Sequence, residues 1–291
     1  MRRHRPAGNA AGLRREENFA PSRLAERLGC GFQLHAPQQT TVECELKGGK
    51  IVKLKIEPEA RRKDLQVAAG FETGSTGDSA RFIGSLQTGR KATIVTLGTS
   101  LTGGTWRWVN VMKEWLDSEY PGLATIQNLG VGASASSHPP GQCGLDMAKR
   151  AAAMKPDVVF IEFAVNDSYL PYKISPTDSQ RNLNMMVDTI LQANPNAEIV
   201  VQTTNPVIDM PDAVNRHATN RPDLAEYYQG YRDVARARGL ILIDHYPNWH
   251  KLLDAGRDGF LQRVPDGIHP QEPGYREVVL PELKRVLLGN S

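Results

Sequence analysis

The 291-residue chain has only three cysteines, Cys30, Cys44 and Cys143, widely separated and without a CxxC spacing. An odd, scattered set supports neither a disulfide framework nor a zinc site, so no metal is expected. No run approaches the roughly 18 consecutive apolar residues of a membrane-spanning helix, so no membrane partner is expected. Charge of one sign is not in large excess. The formal net charge is +3, and much of the basic surplus sits in Arg2, Arg3, Arg5, Arg14, Arg15, Arg23 and Arg27, before the folded body begins. That distribution excludes a nucleic-acid footprint on the body. Aromatics are 7% of the chain, and no apolar stretch is long enough to roof a lipid tunnel, which argues against a lipase gripping long acyl chains. The N-terminus is positive but has no apolar segment behind it, so no secretory signal is expected and the chain as given reads as cytoplasmic. Repeats and low-complexity tracts are absent.

What is present falls into three segments. Residues 1–38 mix Arg, Ala, Gly and Pro around one short helical candidate at 21–28, and have too little apolar content to fold alone. They read as a basic, partly disordered arm. Residues 39–88 form a β-rich appendage: Val42, Cys44 and Leu46 alternate, Gly48-Gly49 turn the chain, and Val52, Leu54 and Ile56 alternate again, which is a hairpin pattern. A further strand candidate lies at 65–71. A hairpin is marginal by itself, so it is expected to pack on the body or on another copy of the chain in a homo-oligomer. In residues 89–291, apolar strand candidates at 93–97, 124–128, 158–163, 198–203 and 240–244 alternate with helix candidates at 106–119, 141–154, 177–192, 222–238 and 274–288. Parallel strands need crossover helices, so this is an α/β fold, a three-layer α/β/α sandwich over a mainly parallel five-stranded sheet.

In such a sheet the strand C-termini share one edge, and residues that follow them converge. The first strand runs into Gly98-Thr99-Ser100-Leu101-Thr102, with a helix expected to open near Thr105 and aim its N–H groups at Ser100. The second runs into Asn128-Leu129-Gly130-Val131-Gly132-Ala133-Ser134, and the third into Ala164-Val165-Asn166-Asp167. Before the last helix comes Asp266-Gly267-Ile268-His269-Pro270. A serine hydroxyl becomes a strong nucleophile when a histidine takes its proton and an acid fixes the histidine tautomer, so Ser100, His269 and Asp266 are the catalytic candidates. Oxyanion donors are the Ser100 N–H, a backbone N–H of the Gly132-Ala133 turn and the Asn166 amide. Asp167 reads as a structural hydrogen-bonding residue. The polar residues Thr102, Ser134, Ser136, His138, Asn205 and Gln271 point to a hydroxylated substrate, with Thr102, Ser134 and His138 the candidates for contact.

These four blocks, in this order, resemble the SGNH (GDSL-type) hydrolases. The resemblance covers about two-thirds of the chain. It implies a flavodoxin-like sandwich and ester hydrolysis through a Ser/His/Asp triad without a cofactor. By register from Asn128, Ala133 stands where the family usually has its oxyanion glycine, with Gly132 as the alternative donor. Thr99 replaces the usual Asp before the nucleophile, and Ala164 replaces a usual Gly.

The expected activity is therefore a serine esterase on short acyl, chiefly acetyl, esters of a small molecule or saccharide, with a general short-chain aryl or alkyl esterase as the alternative. A reading of another class takes 100–105 as a phosphate loop on a flavodoxin-like module binding FMN. It leaves Asn166, Asp266 and His269 without a task.

Overall fold

A computed structural model describes residues 30–36, 40–47, 50–58, 79–211 and 214–289. Contacts divide the chain into two units, residues 1–76 and 77–291. In the first, β1 (Cys30–Ala36), β2 (Thr40–Lys47) and β3 (Lys50–Glu57) form an antiparallel sheet in that order. The expected hairpin is β2 and β3, whose register sets Val42 opposite Ile56 and Cys44 opposite Leu54. β1 lies within the segment read as an arm. Its alternation of Phe32 and Leu34 falls opposite Cys44 and Val42, which makes it a third strand of the same sheet. The candidates at 21–28 and 65–71 lie outside the described residues.

The second unit begins with a short helix, α1 (Arg81–Gln87), inside the segment 39–88 read as an appendage. Phe82, Ile83 and Leu86 are buried in the core of this unit, which is why the helix counts with it. The sheet that follows contains β4 (Ala92–Gly98), β5 (Ala124–Asn128), β6 (Val158–Glu162), β7 (Glu198–Thr203) and β8 (Ile241–Asp244). Their spatial order is β5-β4-β6-β7-β8, and every pairing is parallel. All residues of β6 and β7 are buried. That follows from their apolar runs, since a parallel strand is covered on both faces.

Alternate strand residues feed two cores. Val95, Leu97, Val159, Ile161 and Val201 face one, against α3 (Gly144–Ala153), α5 (Pro176–Ala193) and α6 (Leu224–Arg238). Ile94, Val158, Phe160, Val200 and Ile243 face the other, with α1, α2 (Trp108–Glu119), α7 (Tyr246–Ala255), α8 (Arg257–Leu261) and α9 (Leu280–Leu287). A four-residue helix, α4 (Ala164–Asp167), follows β6 directly. Residues Tyr275–Val279, expected as the start of the last α-helix, form a π-helical turn that runs into α9. Among the described residues no helix is long and apolar enough to cross a membrane.

From β4 the chain steps outward to β5 and then crosses back over β4 to β6. The C-terminal ends of β4 and β6 therefore flank the point where the winding reverses, the place where open α/β sheets hold their ligands.

Candidate active site

β4 ends at Gly98, a position where no side chain fits. A Cβ at that position would lie 2.3 Å from Thr102 Oγ1 and 2.4 Å from Glu162 Oε1. The turn that follows is built on that buried carboxyl. Glu162, at the end of β6, accepts hydrogen bonds from Thr99 N–H (2.8 Å), Thr99 Oγ1 (3.1 Å) and Thr102 Oγ1 (2.6 Å). Burial pushes the Glu162 carboxyl up to about 7 against these bonds, and the neighbouring charge of Asp167 adds to the rise. From outside, Arg107 Nε donates to the Ser100 carbonyl (2.6 Å). The helix after the turn begins at Trp108 rather than near Thr105, since residues 100–107 are spent on turns and on this arginine tie.

Ser100 Oγ lies 2.9 Å from His269 Nε2, and His269 Nδ1 lies 2.6 Å from Asp266 Oδ2. The two strand-distant residues arrive on one tight loop, in which Asp266 Oδ1 also accepts the N–H groups of Ile268 (3.0 Å) and His269 (2.7 Å). Burial alone would raise the Asp266 carboxyl, but the side-chain bond with His269 and these two backbone bonds outweigh it and hold the acid well below the usual carboxylate range. An ionised Asp266 fixes the proton of neutral His269 on Nδ1, leaving Nε2 as the acceptor that faces the serine hydroxyl.

On the other side of Ser100 run the glycine turn and α4. A Cβ on Gly132 would lie 4.0 Å from Ser100 Cβ, so this backbone passes within van der Waals reach of the serine. Ala133 has φ of 59°, in the left-handed region that favours glycine. Tyr172 Oη holds this turn by donating to the Ala133 carbonyl (2.7 Å). The N–H groups of Ser100, Gly132 and Ala133 have no acceptor among the described residues. Asn166 Nδ2 donates one hydrogen to the Ser134 carbonyl (2.8 Å), leaving the other free, and its Oδ1 accepts from Arg221 Nη2 (3.3 Å). Asp167 is a strut: Oδ1 accepts Ser136 N–H (2.7 Å) and Oδ2 the Ser179 hydroxyl (2.5 Å). Its burial raises it to about 6.

Two of the three residues expected to touch substrate are turned inward. Thr102 and Ser134 are fully buried, the first on Glu162 and the second on the carbonyls of Gly98 and Val131, as the small hydroxyl side chains serve the backbone of the turns they sit in. Ser136 and Asn205 are buried as well. His138 is exposed and packs against Tyr172, ring centroids 4.7 Å apart, and Tyr172 meets Tyr169 edge-on at 5.1 Å. Trp108 is buried on Phe160, with its Nε1 donating to Thr102 Oγ1, and Trp106 lies under the Arg276 guanidinium. Glu162, Tyr172 and Arg221 were not singled out by motif, and no spacing signal marks them. Among the described residues no group of three or more His, Cys, Asp or Glu could hold a metal ion.

The arrangement pairs a serine with a base whose tautomer is fixed, beside several N–H groups with nothing to bind. Such a set can attack a carbonyl carbon and receive the negative charge that forms on its oxygen. Similar solved structures include a catalytic mutant of an acetylxylan esterase from Geobacillus stearothermophilus, at 17% identity and TM-score 0.54, covering 68% of this chain and 94% of that one. Another is a lipase/acylhydrolase from Enterococcus faecalis, at 21% identity and TM-score 0.51, covering 67% of this chain and 95% of that one. A search of curated proteins finds no match. The model of the GDSL-like lipase/acylhydrolase family matches residues 95–277, a span holding every side chain of the nucleophile turn, the asparagine helix and the histidine loop, and the chain belongs to that family.

Proposed function

We propose that the protein is a serine esterase that cleaves short acyl esters, acetyl above all, from a hydroxylated alcohol such as a carbohydrate. One observation carries the reading: the unbroken hydrogen-bonded line from Ser100 Oγ through His269 to Asp266. His269 Nε2 takes the Ser100 proton as Oγ bonds to the ester carbonyl carbon, and the carbonyl electron pair moves onto oxygen. The N–H groups of Ser100, of Ala133 or Gly132, and of Asn166 receive that oxyanion. Collapse breaks the bond to the alcohol oxygen, which leaves with the proton from His269. Water then attacks the acyl-serine by the same route, releasing the acid and restoring Ser100.

The alcohol side is argued from His138, Tyr172 and Tyr169, whose rings adjoin the Ala133 turn. Flat rings with polar tips suit the C–H face and the hydroxyls of a sugar better than a flexible acyl chain. Acetylated xylo-oligosaccharides and other acetylated sugars are assayed beside p-nitrophenyl esters of rising acyl length, with wild type and Ser100→Ala. Acetate release that Ser100→Ala abolishes by several orders of magnitude, with the fold intact, is the expected result. Near-normal hydrolysis by a folded Ser100→Ala protein would refute the triad, and a preference for simple aryl esters over every sugar would refute the carbohydrate.

A further inference from the structure

Arg221 is nine-tenths buried, yet among the described residues its partners are carbonyl and amide oxygens and no carboxylate pairs with it. A buried cation without a counter-ion is unfavourable in a resting protein and calls for a compensating gain. Its guanidinium lies over the Tyr169 ring at 4.7 Å and grips the asparagine helix at two points. Nε donates to the Val165 carbonyl (2.7 Å) and Nη2 to Asn166 Oδ1 (3.3 Å), with a long third contact from Nη1 to the His217 carbonyl (3.5 Å).

The two ends of an amide have nearly the same shape, so the direction of Asn166 is decided by its partners. In the observed direction Oδ1 meets a cation and Nδ2 meets the Ser134 carbonyl. Flipped, the amide would set N–H against guanidinium N–H and oxygen against carbonyl oxygen, both repulsive. A charged donor on Oδ1 also draws electron density through the amide and strengthens the Nδ2 donors. With one of those donors spent on Ser134, the remaining one is both aimed and polarised.

We propose that Arg221 is a positioning residue of the esterase: it fixes and polarises Asn166 so that the free amide N–H stabilises the oxyanion, whose charge is what compensates the buried cation. The proposal rests on the reading of Ser100 as nucleophile and Asn166 as oxyanion donor. Arg221 acts on a charge that exists only after attack, so its loss should lower kcat and spare KM.

The test compares wild type, Arg221→Gln, Arg221→Lys, Asn166→Ala and the Arg221→Gln/Asn166→Ala double variant in acetyl-ester kinetics. Affinity for phenylboronic acid, which adds to a serine as a tetrahedral anion, is measured in parallel. Arg221→Gln should lose about 30- to 100-fold in kcat with KM within about twofold, and lose boronate affinity by a similar factor. Arg221→Lys should recover part of both, since it keeps the charge but not the fork. The double variant should be no slower than Asn166→Ala beyond about threefold, because a residue acting through Asn166 has nothing left to act on. A rise in KM alone, an unchanged boronate affinity, or losses that multiply in the double variant would overturn the role of Arg221. Should Arg221→Gln fail to fold, Arg221→Lys decides, with matched losses in kcat and boronate affinity supporting the proposal and wild-type values for both overturning it. A wild-type protein that neither cleaves esters nor binds the boronate takes the esterase reading down as well, an outcome distinct from wild-type activity with indifferent Arg221 variants.

Discussion

In the proposed triad Asp266 acts by being ionised and by holding one nitrogen of one ring. Asp266→Asn keeps the shape, but the amide can present a donor to His269 Nδ1 and favour the tautomer with its proton on Nε2, facing the serine. A loss of about 10⁴-fold in kcat is expected at all pH values where the wild type is active. A wild-type rate in Asp266→Asn would send the search to another acid. Gly98 is constrained from two sides, and Gly98→Ala forces a methyl into Thr102 and into the Glu162 carboxyl, which three hydrogen bonds hold in place. Activity should fall together with stability, by at least about 2 kcal/mol in denaturant titration. Ser100, Asn166, Asp266 and His269 were legible because each belongs to a block with turn chemistry after a strand or before a helix. Glu162 was not, because it reads as the last letter of an apolar strand, and only the β4–β6 pairing shows what lies above it. Arg221 was hidden for a similar reason: its partners Val165 and Asn166 are more than 50 positions away in sequence.

Elements were legible where their own residues specify them. The five strands and the helices α2, α3, α5 and α6 carry periodicity that their burial requires, so sequence placed them to within a few residues. Helix α1 lacks any side-chain cap of its own. Its first N–H groups, Arg81 and Phe82, donate to the two oxygens of Glu198 at 2.7 Å each, and Glu198 begins β7 more than 110 residues later. A helix capped from so far away cannot be seen locally. Glu198→Ala should therefore cost about 1 to 2 kcal/mol in urea unfolding while kcat/KM at 25 °C stays near wild type, and Glu198→Gln, which retains an acceptor, should cost less. Equal stability of wild type and Glu198→Ala would mean that the carboxylate does not hold the helix. Helix α7 lies outside the helix candidates read from the sequence, although its i, i+4 spacing puts Tyr246 and His250 in contact.

At the scale of the molecule, every residue assigned to the chemistry lies in the unit 77–291. A protein starting at Gly77 should fold and retain kcat/KM within a few-fold of the full chain; loss of activity by a folded 77–291 fragment would give the first unit a part in the site. Acyl preference is a property of the whole edge rather than of one side chain. Each methylene buried in an apolar tunnel adds about 0.8 kcal/mol of binding, so a tunnel would show as a steep climb in kcat/KM with chain length. Here acetyl and propionyl esters should be best, with activity dropping beyond about six carbons. A steady rise to long chains would contradict this and with it the sugar.

The two buried carboxyls beneath the site, Glu162 and Asp167, make folding a proton-consuming reaction. Their values move from 4.5 to about 7 and from 3.8 to about 6. Between about pH 5 and 6 the native chain therefore holds protons that the unfolded chain has released to solvent. Both shifts are upward, so the stability tied to these groups falls as pH rises through that window and stays low above pH 7, the reverse of what Asp266 contributes at the acid end. Calorimetric unfolding near pH 5.5 should then give different enthalpies in buffers of small and large ionisation heat, and Glu162→Gln should shrink the difference. Identical enthalpies in both buffers would mean that the nucleophile turn rests on a charged carboxylate.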